Sequence, residues 1–137
     1  MINSSLEFKV QYSDTDSYKV AWHGSYLRWM EAGRVDWLYL NGVDIKELDE
    51  KFNIVMPVIE LDIKYKQSAR LLEDIIVNTK VLEITNLYIV FEQTIINKNT
   101  NTLLTTATVK GLCVKDGKAL RHLKDILEYD KEKLCTL

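Results

Sequence analysis

Leu6, Phe8, Val10 and Tyr12 alternate with Glu7, Lys9 and Gln11. This period of two predicts a half-buried strand and places Tyr12 on the core side. The period then changes. Across residues 24–40, Leu27, Met30, Val35 and Leu38 recur at helical spacing, and Tyr26, Trp29, Gly33, Trp37 and Leu40 add a second apolar stripe. A helix apolar over so much of its girth is expected to be buried. Asn41-Gly42 supplies its stop, and Asp44 with Glu47 reads as a capping box opening a short second helix.

After Pro57 the period returns to two. Ile59, Leu61, Ile63 and Tyr65 mark one strand, and Ile75, Val77, Thr79 and Val81 the next, in residues 74–85. Leu87, Ile89, Phe91, Gln93 and Ile95 form a third inner face, and Leu103, Thr105, Ala107, Val109, Gly111 and Cys113 a fourth with small side chains. Thr85-Asn86, the Asn97–Asn101 tract and Asp116-Gly117 are turn signals, and residues 121–130 read as a C-terminal helix. Sequential strands on short loops favour an antiparallel sheet with the long helix packed on one face. The small residues of the last strand would let that helix approach closely. The pattern implies a single α+β domain over residues 1–137.

Composition narrows the function. The chain has 137 residues with 47% hydrophobic and 28% charged side chains and a formal net charge of −2. An acidic balance argues against nucleic-acid binding, which needs a basic face. No apolar run reaches the ~20 residues of a membrane span, and the first residues lack a secretory pattern. Cys113 and Cys135, the only cysteines, stand far apart, which suits reduced thiols in a cytoplasmic protein.

The chemistry concentrates in YSDTDSYKVAWHGSYLRWMEAGR, residues 12–34. Asp14, Asp16 and His23 lie in the approach to the long helix. Its first amides lack intrahelical partners and carry the positive end of the dipole, so they can hold an oxyanion. A carboxylate beside such amides suits acyl transfer, either attacking a polarised carbonyl or deprotonating water. A thioester fits so modest a nucleophile, and no Gly-x-Ser-x-Gly elbow is present. On spacing alone a helix cap or an Asx turn is the better reading of Asp16. Asp14 reads as a turn former. A divalent metal on Asp14, Asp16 and His23 is disfavoured because no second histidine is near; His122 lies far along the chain.

Tyr12-x-x-x-Asp16, the seven residues to His23 and the GSYLRWMEAGR that follows resemble the hotdog-fold acyl-CoA thioesterases. The nearest branch is the 4-hydroxybenzoyl-CoA thioesterase type, including the acyl-CoA thioesterases linked to the Tol-Pal system. PVIELDIKYKQSAR, residues 57–70, is similar to that family's second strand and the loop after it. The resemblance implies a five-stranded antiparallel sheet wrapped around one long central helix, sheets joined edge to edge in a dimer, and often a tetramer. It implies hydrolysis of an acyl-CoA without a cofactor or metal. Asp16 would be the catalytic carboxylate, Tyr12 and His23 would line the site, and the amides of His23 and Gly24 would hold the thioester oxygen.

The chain departs from the family at Lys19, where a small residue is usual, and at Ser68, where proline is usual. A long cation at 19 could meet an anionic substrate group. Lys64, Lys66 and Arg70, or Lys115, Lys118, Arg121, His122 and Lys124, are candidate grips for the phosphates of coenzyme A. Glu31, flanked by Arg28 and Arg34, reads as a structural ion pair or a contact across a dimer seam. Two rival readings remain: a hotdog dehydratase or hydratase using His23 with Glu31, and a non-catalytic acyl-CoA-binding domain.

Overall fold

The computed structural model describes residues 1–137. β1 (Ser4–Lys9) leads through a 3-10 turn (Tyr12–Asp14) to α1 (His23–Leu40) and α2 (Ile45–Phe52). β2 (Ile54–Val55), β3 (Val58–Tyr65), β4 (Asp74–Ile84), β5 (Tyr88–Asn97) and β6 (Leu103–Leu112) follow. The chain ends with β7 (Val114–Lys115), β8 (Lys118–Ala119), α3 (Leu123–Glu128) and α4 (Lys131–Leu134).

β1, β4, β5, β6 and β3, in that spatial order, form one antiparallel sheet. The period-2 pattern is seen directly in β5, where Ile89, Phe91, Gln93, Ile95 and Asn97 are buried and their neighbours half-buried. Ile75, Val77 and Thr79 of β4 and Thr105, Ala107 and Val109 of β6 share that inner face. A bulge between Val81 and Glu83 bends β4 near its end.

α1 lies on the inner face over β1, β4 and β5. The closest approach is at Gly33. A Cβ there would stand 2.6 Å from Thr79 Oγ1 and 3.0 Å from Gln93 Nε2, so only glycine fits. Gln93 Nε2 donates to the Met30 carbonyl and to Thr79 Oγ1, both at 2.8 Å. The intimate contact is therefore with β4 and β5. The expected close approach to β6 does not occur, and Gly111 of β6 faces the Pro57 carbonyl instead.

The helix is not buried all round. Ser25, Tyr26, Trp29, Met30, Gly33, Trp37 and Leu38 are covered, whereas Leu27, Val35, Tyr39 and Leu40 are exposed. Exposed Leu27 and Val35 look toward the β6–β3 side of the sheet, which α1 leaves open. β3 is the edge strand there, and Val58, Ile59, Leu61 and Tyr65 are all exposed on it.

Asp44 caps α2, its carboxylate accepting from the Glu47 amide at 3.0 Å. The reciprocal half of a capping box is missing, because the Glu47 carboxylate accepts instead from Lys51, Lys131 and Tyr129. These contacts hold it down to about 2 and tie α2 to the C-terminal segment. The expected C-terminal helix is two short ones, divided where Tyr129 turns left-handed (φ 57°) and Asp130 caps α4. β2, β7 and β8 make a small second sheet with the Asp116-Gly117 turn at its tip. Cys113 is buried, which pushes its thiol up to about 12, and Cys135 is exposed; no disulfide joins them. No helix is long and apolar enough to cross a membrane.

Candidate active site

β1 ends at Lys9, before the alternation does, and the chain turns at Tyr12–Asp14. Tyr12 accordingly stands 73% exposed and not on the core side as its alternation predicts. The turn is set by Asp14, which is 3% exposed. One of its carboxylate oxygens accepts from the Gln11 amide at 2.8 Å, and the other takes the Arg28 guanidinium of α1. Its carbonyl accepts from the Trp22 amide at 3.1 Å and from Ser25 Oγ at 2.8 Å. Asp14 is therefore more than a turn former: it straps the loop to the first turn of α1. Both carboxylate oxygens are committed, and Asp14, Asp16 and His23 do not gather into a metal-ligating cluster.

Beyond Asp14 the chain folds into a tight hairpin. Thr15 bridges Ala21, the Asp16 amide donates to the Val20 carbonyl at 3.0 Å, and Lys19 closes the tip in a left-handed conformation (φ 62°). The Asp16 carboxylate accepts from the Tyr18 amide at 2.8 Å, an Asx turn. Asp16 is thus held in the rung next to Thr15–Ala21, one rung further from α1. In the single chain its carboxylate is exposed and lies outside the two hollows described below.

At the mouth of α1, the amides of His23 and Gly24 have no hydrogen-bond partner in the chain, whereas the Ser25 amide donates back to the Trp22 carbonyl at 2.9 Å. The Trp22 indole lies against Gly24, where a Cβ would come within 2.2 Å of the ring, and stacks edge-on against His23 at 5.5 Å. Glycine at this position lets the ring rest on the helix end. Two bare amides at a helix N-terminus are donors for an oxygen that gains negative charge.

Two hollows open on either side of this mouth. One, of 250 Å³, is lined by Ala21, His23, Tyr26 and residues Tyr65 to Ser68. It is walled by the segment after β3, which is held by the Ala69 amide donating to Tyr26 Oη at 2.8 Å and by the Ala21 amide donating to the Ala69 carbonyl at 2.8 Å. Burial pushes the Tyr26 hydroxyl above its usual value, which keeps it neutral as that acceptor. The other is a trough along the open side of α1. It begins at Gly24, Leu27 and Arg28 with a volume of 360 Å³. It continues past Glu31, Arg34, Val58 and Val109 into a cavity of 430 Å³ floored by Leu48, Ile54, Ile89 and Phe91. The volume is of the size that holds a small organic ligand. From Gly24 to Arg34 the trough runs about 15 Å, ten residues of helix.

Arg34 sits where the two parts of the trough meet. Its Nη1 donates to Gln93 Oε1 at 2.9 Å, and loss of water lowers its pKa from the ordinary value against the pull of Glu31. This polar junction is not legible in the sequence, because Gln93 occupies an inward strand position that alternation marks as apolar. Glu31 lines the trough and His23 the opposite hollow, so the pair that a hydration reaction would need is not assembled in one cavity.

The chain matches the model of the thioesterase-like superfamily over residues 10–129. It is 35% identical to the acyl-CoA thioesterase YbgC of Haemophilus influenzae over 121 residues, 86% of this chain and 87% of that one. Among solved structures it is similar to the DHNA-CoA thioesterase of Staphylococcus aureus, with a TM-score of 0.84 and 30% identity over 99% of this chain and 94% of that one. It shares its fold with the 4-hydroxybenzoyl-CoA thioesterase of Pseudomonas sp. strain CBS-3, at a TM-score of 0.83 and 16% identity over 93% and 99% of the two chains. Sequence and fold agree, and the chain belongs to the thioesterase-like superfamily with the hotdog architecture expected from its helix-mouth motif.

Proposed function

We propose that the protein hydrolyses an acyl-CoA thioester at the mouth of α1. The observation that carries this reading is the pair of unpartnered amides, His23 and Gly24, set between a polar hollow and an apolar trough. The thioester oxygen accepts from these amides, the acyl group lies in the trough, and the coenzyme leaves over the polar side. The amides act most strongly on the tetrahedral oxyanion, so they favour the transition state over the ground state.

Asp16 is the reacting carboxylate. As nucleophile it attacks the thioester carbon, the C–S bond breaks, and the thiolate departs; water then cleaves the resulting anhydride and regenerates Asp16. As general base it takes a proton from water, whose oxygen attacks the same carbon, and the proton passes to the departing thiolate. A single turnover in heavy-oxygen water separates the two. An unlabelled acid with the heavy oxygen in Asp16 identifies a nucleophile whose anhydride water opens at the aspartyl carbon, whereas a base labels the acid and never Asp16. Tyr12 and His23 line the approach and orient substrate or water.

A second copy completes the site in this reading. The edge strand β3 offers unpaired backbone and the exposed Val58, Ile59, Leu61 and Tyr65, which support a homodimer joined edge to edge and, by doubling, a homotetramer. A partner along β3 would also cover the trough and the exposed side of Asp16. A cytoplasmic setting belongs to the same proposal, since two unpaired thiols and a coenzyme A substrate both suit it.

Thiol release from a panel of acyl-CoA thioesters, short, long and aromatic, tests the reading, with Asp16→Asn as its control. Hydrolysis by the native protein and a ~100-fold or greater loss in the folded variant are expected. A variant with undiminished turnover removes Asp16 from the mechanism. A native protein that binds acyl-CoA without releasing thiol is a binding domain and not an enzyme.

A further inference from the structure

Resting on the hydrolytic reading of the α1 mouth, we propose that Arg34 and Glu31 select a long aliphatic acyl chain bearing one hydroxyl about eight carbons beyond the thioester. The two residues form a polar belt partway along an otherwise apolar trough. Leu27 and Leu61 line the trough on the mouth side of the belt, and Leu48, Ile54, Ile89 and Phe91 lie beyond it. Arg34 and Glu31 line both parts.

Glu31 makes no ion pair with either flanking arginine. Arg28 is taken by Asp14, and Arg34 donates from Nη1 to Gln93 Oε1. Gln93 is 1% exposed, and its own amide is anchored on the Met30 carbonyl and on Thr79 Oγ1. The seat of the Arg34 guanidinium is thus built from the core. Its other N–H groups have no acceptor in the chain. They are not sealed off, because the buried side-chain atoms without partners are Trp37 Nε1 and Thr105 Oγ1. No other cation is treated this way. Arg28, Arg70 and Arg121 are exposed. The half-buried lysines are Lys110, which meets Glu60 at 3.6 Å, and Lys115, which donates to the Leu137 carbonyl at 2.6 Å. Arg34 alone is half-buried on a cavity wall with no carboxylate in contact. A cation partly stripped of water in this way is costly, and in a cleft it marks a place where a ligand supplies the acceptor.

The chemistry of the belt chooses the ligand group. A guanidinium only donates, and a carboxylate only accepts. Glu31 is near enough for its charge to favour the charged form of Arg34 and too far to touch it. A hydroxyl between them accepts from Arg34 and donates to Glu31, so it satisfies both. A carboxylate on the chain would meet that one guanidinium together with Glu31 and with Asp49, which lines the deep part. An unsubstituted chain would cover both groups and give them nothing to bond. The depth follows from the helix. From Gly24 to the belt is about 10 Å, once the backward lean of helix side chains is counted. An extended carbon chain advances ~1.3 Å per bond, so about eight carbons reach the belt. The tail continues into the apolar end.

The test measures kcat/KM by thiol release for four coenzyme A thioesters: dodecanoyl, 9-hydroxydodecanoyl, 3-hydroxydodecanoyl and the half-thioester of dodecanedioic acid. The native protein is expected to favour the 9-hydroxy chain over the plain chain about 10-fold, the scale of one charge-assisted hydrogen bond. A hydroxyl at carbon 3 should bring no such gain, and the dioic chain should be the poorest. Arg34→Met should bring the ratio of 9-hydroxy to plain chain close to one. That change strands Gln93 Oε1, so Glu31→Leu, at an exposed position, is the second variant and should cut the ratio at least ~3-fold. Equal kcat/KM for the plain and 9-hydroxy chains, a ratio unchanged in both variants, or a preference for the dioic chain would overturn the proposal and leave hydrolysis standing. So would a loss of oligomer mass in Arg34→Met with selectivity retained, which assigns Arg34 to a subunit contact. Failure to release thiol from any of the four refutes the hydrolytic reading instead. Calorimetric binding of the same intact thioesters then reads the belt directly. A 9-hydroxy preference lost in Arg34→Met supports it, and equal affinities overturn it.

Discussion

The turn Tyr12–Asp14 and the hairpin Asp16–Val20 adjoin each other, yet the fold uses their two aspartates in opposite ways. Asp14 is buried, and both of its carboxylate oxygens and its carbonyl are bonded to α1 or to the turn. Asp16 is exposed and holds one local bond, to the Tyr18 amide. The first residue has spent its bonding capacity on position; the second keeps one carboxylate oxygen without a partner in the chain, as the proposed mechanism requires. A charged residue near a site is therefore better sorted by its unused valences than by its distance from the site.

The largest effect expected from breaking this contrast is on rate. Asp16→Asn should lower turnover ~100-fold or more while the melting temperature stays within a degree or two, since the exposed carboxylate contributes little to folding. Thiol release and a thermal melt on the same sample check both halves. Asp14→Asn should do the reverse. It leaves Arg28 without its partner and weakens the capping of the turn, at a cost of about 2 kcal/mol, moderated because Arg28 is itself half-exposed. A shifted urea midpoint reads that cost, and turnover in the folded variant should fall much less than in Asp16→Asn.

The core and the long helix were legible because their patterns repeat. Ile75, Val77 and Thr79, and the β5 series from Ile89 to Ile95, satisfy a period of two over enough residues to fix the face, and Asp44 marks the start of α2 by its own side chain. Tyr12 misled because alternation says nothing of where a strand ends, and the end here is set by Asp14 reaching back to Gln11. Leu27 and Val35 misled because an apolar side chain facing a trough has the same period as one facing the core. β2, β7 and β8 are two residues each, too short for any period. Asp16 and His23 carry the proposed site by their motif alone, whereas the bond from Asp14 to Arg28 spans fourteen residues and exists only once the loop is closed.

Smaller changes sharpen the comparison further. Gly24→Ala should displace the Trp22 ring, which is half-exposed and free to swing, so stability should drop by less than ~1 kcal/mol. Turnover should fall several-fold as the mouth loses its cover, and Trp emission reports the displacement. The smallest effect is expected at Glu47, far from the mouth. Its folded value of about 2 lies below its ordinary 4.5, so the stability it lends is full above that ordinary value and is lost as pH falls through the range to about 2. Glu47→Gln should flatten that acid limb of a stability–pH curve and leave neutral-pH turnover unchanged.

Gly33 has no chemistry of its own, but it governs the aim of the two bare amides. The missing Cβ lets Gln93 and Thr79 lock onto the middle of α1. A slip of one residue in that seat would swing the helix by about 100° and carry its end to face another way. Ten residues along the rod, about 15 Å, the mouth at Gly24 inherits its direction from this single notch. Selection for hydrolysis would thus reach a position packed against Thr79, Gln93 and Val77, inside the fold.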